Sequence, residues 1–142
     1  MKHLKRLLPI LCVSFILAQV DDGSQAKPTA AVLDFDGSGI TTQEAQVLTQ
    51  RLGSELVQTN ALIMVERNQM SEIMDEQGFQ QAGCTSAECA AEIGALLGVQ
   101  KMITGSFGKI GNSYTIEARM FTVESGKTEK TVSKTYKGEE DG

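Results

Sequence analysis

The chain has 142 residues, with 13 basic and 18 acidic side chains and a formal net charge of −5. This length suits a single domain with one hydrophobic core, and the acidic balance disfavours nucleic acid and anionic lipid as partners, because both select clustered cations. The sole histidine, His3, lies in a predicted signal peptide, so the mature chain would lack the usual general base of serine and cysteine hydrolases.

Residues 1–18 have the pattern of a secretory signal peptide. A basic segment that ends at Arg6 precedes an almost wholly apolar stretch over residues 7–17, which is too short to span a bilayer as an anchor. We expect cleavage after Ala18. Cleavage after Ala26 is the weaker alternative, because two aspartates would separate that site from the apolar stretch.

Cys12 raises the question of a lipid anchor. It lies in the middle of the apolar stretch and follows a leucine, whereas a lipoprotein signal places its cysteine at the end of that stretch after a small residue. We therefore predict that Cys12 is removed with the signal. The mature chain would keep 10 basic and 18 acidic side chains, a net charge of −8, and no apolar run long enough for a transmembrane helix.

Composition divides the rest of the chain into three parts. Residues 19–28 are polar and are predicted to form a linker. Residues 29–137 contain the periodic apolar segments and are predicted to form one α/β domain. Residues 138–142, two glycines and three acidic residues, are predicted to form a flexible tail.

The domain begins with a predicted strand, turn and helix. Residues 30–35 are a short apolar run, which predicts a buried strand, and residues 36–39 predict a turn. Thr41 and Glu44 have the spacing of a capping box, which predicts a helix over 41–60. The apolar face of this helix has helical spacing and comprises Ala45, Leu48, Leu52 and Leu56.

Two more helices are predicted after a second short strand over 62–65. Asn68 is expected to cap the first of them, and Gly78 has the position of a left-handed residue that ends it. The next helix begins in the Cys84 region, and Gly98 is expected to end it in the same way.

From residue 100 onward, apolar residues recur at every second position instead of at helical spacing. Residues 101–110 and 114–120 predict two strands joined by a tight hairpin at 111–112, and a turn at 124–127 precedes a Lys- and Thr-rich edge strand over 128–136. The element order is β-α-β-α-α-β-β-β. It predicts a two-layer α/β (α+β) sandwich with a mixed sheet and a C-terminal antiparallel meander.

Cys84 and Cys89 are the cysteines that would remain in the mature chain. With Thr85 as N-cap and Glu88 at N3 of a second capping box, they would occupy N′ and N4, whose side chains normally touch. We predict a structural disulfide, with free thiols as the alternative. The spacing is not that of a thioredoxin-type pair, and two cysteines without a histidine cannot complete a zinc shell.

Asp34 and Asp36 follow the first predicted strand in a sequence that resembles the nucleophile loop of haloacid-dehalogenase phosphatases. Such an enzyme needs further acidic metal ligands at the ends of later strands, and the predicted strands have none. We expect the two aspartates to cap the turn before the first helix, with a Mg²⁺-dependent phosphatase as the alternative. Gly105 and Gly108 lie inside a predicted strand, so they indicate a bulge or close backbone packing and not a phosphate loop. We predict no catalytic residue, no cofactor and no metal site.

Several segments stand in a recognisable order and spacing: Ala31–Phe35, Val65–Arg67 with Met70, Glu76–Phe79, Cys84–Cys89, Glu92–Gly94, Leu97–Val99 and Gly105–Ile110. Together they resemble the CsgG family of envelope proteins, over residues 29–125. The resemblance implies an α/β domain that acts through protein contacts in the periplasm without catalysis. The secretion channel of that family is a lipoprotein with inserted hairpins, whereas this chain has no lipidation signal and only short connections.

From this resemblance we predict a non-catalytic periplasmic module for interaction, assembly or secretion in the bacterial cell envelope. Its partners would be envelope proteins, with the outer membrane as an associated location. The alternative is a subunit of a homo-oligomeric export channel. Pairing of the 128–136 edge strand with a partner is a further hypothesis.

Overall fold

The computed structural model describes residues 25–79 and 86–138. The predicted signal peptide, Cys84 and the tail beyond Gly138 lie outside these residues. The described residues form six strands and three helices. In chain order they are β1 (Thr29–Val32), β2 (Asp36–Ser38), α1 (Thr42–Gln58), β3 (Ile63–Met64), α2 (Arg67–Glu76), α3 (Ala87–Leu97), β4 (Lys101–Ile110), β5 (Ser113–Thr122) and β6 (Thr128–Lys137).

The strands form one mixed sheet in the order β3-β1-β4-β5-β6. Strand β1 is parallel to both β3 and β4, whereas β4, β5 and β6 are antiparallel to one another. The mixed α/β class and the C-terminal meander predicted from the sequence are confirmed. The hairpin at Gly111-Asn112 brings Ile110 opposite Ser113, in a register that continues to Lys101 opposite Thr122.

Strand β2 was missed, because residues 36–39 were predicted to be a turn. Asp36–Ser38 pairs in parallel with Ser106–Gly108, on the same edge of β4 as β1. The three residues between β1 and β2 stand opposite only two residues of β4, so the chain bulges there. The bulge is stabilised from outside the sheet: the Phe35 N–H donates to the Thr49 hydroxyl oxygen of α1 at 3.1 Å.

The helices cover both faces of the sheet, so the predicted two layers are three. Ala31 and Leu33 pack in a cluster with α2 and α3, whereas Val32, between them, packs with α1. Strand β3 lies on one side of β1 and β4 on the other, so the two helical connections run in opposite directions. Right-handed connections in opposite directions place their helices on opposite faces.

The helix ends follow the predicted local signals in three places. Thr41 and Glu44 form the capping box, with the Glu44 N–H donating to Thr41 Oγ1 at 3.1 Å and the Thr41 N–H donating to Glu44 Oε2 at 2.7 Å. Gly78 has φ 72° and lets the Phe79 N–H reach the Met74 carbonyl at 2.8 Å. Gly98, with φ 67°, ends α3 in the same way.

Two predicted helix starts were wrong. Helix α2 begins at Arg67, with Glu66 as N-cap and no side-chain cap, so Asn68 lies inside the helix. Helix α3 has Ser86 as its N-cap, one residue after the predicted Thr85, and the Cys89 N–H donates to Ser86 Oγ at 3.2 Å. Cys89 therefore stands at N3, not at N4. The disulfide stays a prediction.

Candidate functional site

The two aspartates singled out by the sequence lie in different surroundings. Asp34 has only 9% of its side chain exposed and forms an ion pair with Arg67, the first residue of α2. Asp36 is exposed at the start of β2, in a cleft that also includes Glu117 and Arg119. The expectation that both cap the turn before α1 was wrong for Asp34, because its carboxylate pairs with Arg67 of α2 instead. Within the described residues, no three His, Cys, Asp or Glu side chains come together as a metal site.

A larger feature is an apolar groove of about 720 Å³ between the first half of α1 and the meander. We name it the meander groove. One wall is the solvent side of α1, and the floor is the α1-facing side of β4, β5 and β6. Its main apolar residues are Ile40, Val47, Leu48, Ile116, Tyr114 and Tyr136.

Strand register explains how the floor forms. Ile116 lies opposite Phe107 of β4, and Tyr114 lies opposite Tyr136 of β6. Because directly opposed residues of an antiparallel pair share a face, these side chains form one apolar surface. The core of this face is built from residues nearer β1, such as Val32 and Ile103. The start of β5 and the end of β6 lie farther from this core, and they remain uncovered in the part of the chain that the structure describes.

Helix α1 contributes two apolar side chains to the groove. Val47 is 59% exposed, and Leu48, which the helical spacing placed in the core, is 39% exposed. Thr49 takes the buried position instead, with 1% exposure. Its hydroxyl donates to the Ala45 carbonyl at 2.8 Å and accepts the N–H of Phe35, so the bulge between β1 and β2 determines which side of α1 faces inward.

Charged groups stand at the rim of the groove. The Lys109 ammonium lies 5.2 Å from the centre of the Tyr114 ring, within the range of a cation–π contact. On the helix side, hydrogen bonds from the backbone and then the hydroxyl of Thr41 lower the pKa of Glu44, with a smaller contribution from Lys109. Glu44 is therefore ionised at neutral pH. Lys134 of β6 lies opposite Ile116 and on the same face as Tyr136, and Lys130 lies farther along that face.

Sequence reasoning identified the 128–136 edge strand but not the groove beside it. The available signal was Val47, an apolar residue on the polar side of the predicted helix. Val132 and Tyr136 gave a second signal, because they alternate with lysines in a strand predicted to lie at an edge. A smaller cleft of about 280 Å³ lies between α1 and the start of α2, and Arg67 lines it.

The fold and the groove define an α/β domain with an open meander. Residues 16–132 match the family described as curli production assembly/transport component CsgG, so the chain belongs to the CsgG family. The resemblance found in the sequence is confirmed. A comparison with curated protein sequences gave no match.

Solved structures show the same fold. The C-terminal domain of LpoB from Escherichia coli superposes with a TM-score of 0.65 at 18% identity, covering 81% of this chain and 86% of that one. The corresponding domain from Salmonella enterica gives a TM-score of 0.64 at 18% identity, with coverage of 82% and 87%. Lipoprotein GNA1162 from Neisseria meningitidis gives 0.66 at 10% identity, with coverage of 81% and 84%. At these identities the similarity establishes the fold alone.

Among the described residues, no helix combines the length and the apolar character that a membrane crossing requires.

Proposed function

We propose that the chain is a non-catalytic periplasmic module that binds another protein of the bacterial cell envelope through the meander groove. The observation that carries this proposal is the uncovered apolar floor of the groove beside a fully exposed edge strand. Contiguous exposed apolar surface of this kind is typical of protein-binding sites. Membership of a family described by assembly and transport supports the same function.

The side chains in the groove are suited to protein recognition. Tyr114 and Tyr136 present large, rigid rings with a polar end, and tyrosine is enriched in the energetic centres of interfaces. Val47 and Leu48 add an aliphatic wall. A partner residue that enters the groove would remove these surfaces from water, while the charged rim would orient it.

The phosphatase alternative loses support from the position of Asp34. A nucleophilic aspartate must present its carboxylate to a substrate, whereas this carboxylate is buried against Arg67. The family description also fits an export-channel subunit, the second alternative from the sequence. We favour the interaction module over the channel subunit, because binding through the groove needs only the surface of one chain.

Photocrosslinking in the native host tests the proposed function. The full chain, with its predicted signal, carries benzoylphenylalanine in place of Tyr136, and a control chain carries it at Leu96 of α3, which is 40% exposed and lies outside the groove. We expect the Tyr136 position to give a discrete crosslink to one envelope protein. Crosslinking that is equally weak at both positions, or equally strong, would contradict the proposal.

Export and the disulfide can be tested together on protein purified from the periplasm. We expect intact-mass measurement to place the N-terminus at Gln19, after cleavage at Ala18. Reduction should add about two daltons, because each disulfide takes up two hydrogen atoms. A variant with both Cys84→Ser and Cys89→Ser provides the control, which should not change mass on reduction. Retention of residues 1–18, or the absence of a shift in the natural chain, would contradict these two predictions.

A further inference from the structure

We propose that β6 binds an extended acidic segment of the partner as an added strand of the sheet. This inference rests on the proposed function, since it names the chemistry of the partner next to the meander groove. It follows from three properties of β6: an available edge, two lysines on one face, and two apolar residues that alternate with those lysines.

The edge of β6 is open along its whole length. Strand β6 is last in the sheet order, and within the described residues it pairs only with β5. All ten of its residues are exposed. A strand of this length offers enough backbone donors and acceptors for a peptide to pair with it.

One hydrogen bond shows which backbone groups of β6 face outward. The Gly138 N–H, directly after β6, donates to the Asn112 carbonyl at 2.6 Å. Asn112 directly precedes β5, so this N–H points toward β5. Because backbone groups alternate direction along a strand, those of Lys134 and Tyr136 turn toward β5, and those of Ser133 and Thr135 turn outward. The outward residues are small and polar, so they leave room for an incoming backbone.

The side chains on the groove side of β6 are arranged in a regular order. The register with β5 places Lys130, Val132, Lys134 and Tyr136 on one face. Glu129, the acidic residue of the strand, is paired with Lys101 of β4. The edge is therefore locally basic on a chain whose net charge is −5.

The alternation of lysine and apolar residues on this face specifies the sequence of a strand that could pair with β6. Directly opposed side chains in a sheet stabilise it when their charges are opposite and destabilise it when their charges are alike. A strand beside β6 would need acidic residues opposite Lys130 and Lys134 and an apolar residue opposite Val132. The pattern acidic-x-apolar-x-acidic reads the same in both chain directions, so it holds for parallel and antiparallel addition. The next apolar residue would reach Tyr136 and the meander groove.

The same lysines disfavour a second copy of this chain as the partner that pairs with β6. Pairing β6 with itself would bring lysine side chains from both copies onto one face, which is a common way in which edge strands avoid self-association. An acidic partner converts that repulsion into attraction.

The test uses two synthetic peptides and the full mature chain. One peptide is Thr-Glu-Thr-Val-Thr-Glu-Thr, and the matched peptide has lysine in place of each glutamate. Fluorescence anisotropy measures binding to the natural chain and to Lys134→Glu, with Lys137→Glu as control. Lys137 is on the same strand but on the opposite face, opposite Ser113.

We expect the acidic peptide to bind the natural chain, and Lys134→Glu to weaken that binding roughly tenfold while the control changes it about twofold or less. The lysine peptide should bind Lys134→Glu more tightly than it binds the natural chain. An acidic peptide with N-methyl groups at alternate positions, in the frame that blocks its hydrogen bonds to β6, should not bind.

Three results would overturn the inference. They are no binding of the acidic peptide at concentrations up to about 1 mM, equal binding of the acidic and lysine peptides, and equal binding of the N-methylated peptide. A Tyr136 crosslink combined with any of these would overturn the acidic strand alone and leave the proposed function standing.

Discussion

Gly105→Ala is expected to lower the free energy of unfolding by about 3 kcal/mol, the largest effect we predict for a change of one methyl group. A Cβ atom at this position would lie 1.9 Å from the Glu117 carbonyl oxygen of β5 and 2.7 Å from a ring carbon of Phe35. Backbone on one side and a buried ring on the other leave little freedom to relax. The close backbone packing predicted for this glycine is confirmed.

Urea denaturation measures this effect, and Gly53→Ala is the matched control. Gly53 lies inside α1, and a Cβ atom there would meet nothing within 4 Å. The control should raise the free energy of unfolding by up to about 1 kcal/mol, because alanine favours a helix over glycine. Equal effects of the two substitutions would show that β4 and β5 are not held at the observed separation.

Arg67→Met is expected to lower the free energy of unfolding by about 2 kcal/mol. Removing one partner of a fully buried ion pair costs about 3–5 kcal/mol, because the other charge is left without compensation. The value here is smaller, since 31% of the Arg67 side chain is exposed, although Asp34 is only 9% exposed. The pair joins the bulge between β1 and β2 to the start of α2.

A double-mutant cycle isolates this pair from other effects of the substitution. In an Asp34→Asn background, Arg67→Met should cost less than about 1 kcal/mol, because no buried carboxylate then depends on the guanidinium. Additive effects of the two substitutions would contradict a direct ion pair. The cycle is measured by urea denaturation at neutral pH.

Local signals in the sequence predicted the elements whose causes are local. The capping box of Thr41 and Glu44 depends on residues three positions apart, and the left-handed ends at Gly78 and Gly98 depend on one turn of helix. The hairpin at Gly111-Asn112 sets the β4–β5 register by its own geometry. The sequence therefore predicted the meander, and with it half of the candidate site.

The missed features depend on contacts between distant parts of the chain. Strand β2 forms because Asp36–Ser38 meets β4 about 70 positions later, and the bulge before it is completed by Thr49. The third layer follows from the strand order, which no single segment reveals. The same contact of Thr49 turns Leu48 outward, so the wall of the meander groove could not be derived from the spacing of α1 alone.

The most direct test of the central claim is the yield of the Tyr136 crosslink in two matched variants of α1. Val47→Asp places a charge in the meander groove, and Val57→Asp makes the same change on the same helix outside it, at 58% exposure compared with 59% for Val47. If the groove binds the partner, Val47→Asp should reduce the yield at least about tenfold, because a buried unpaired carboxylate is costly. Val57→Asp should leave the yield unchanged. Equal yields in the two variants would contradict the assignment of partner binding to this groove.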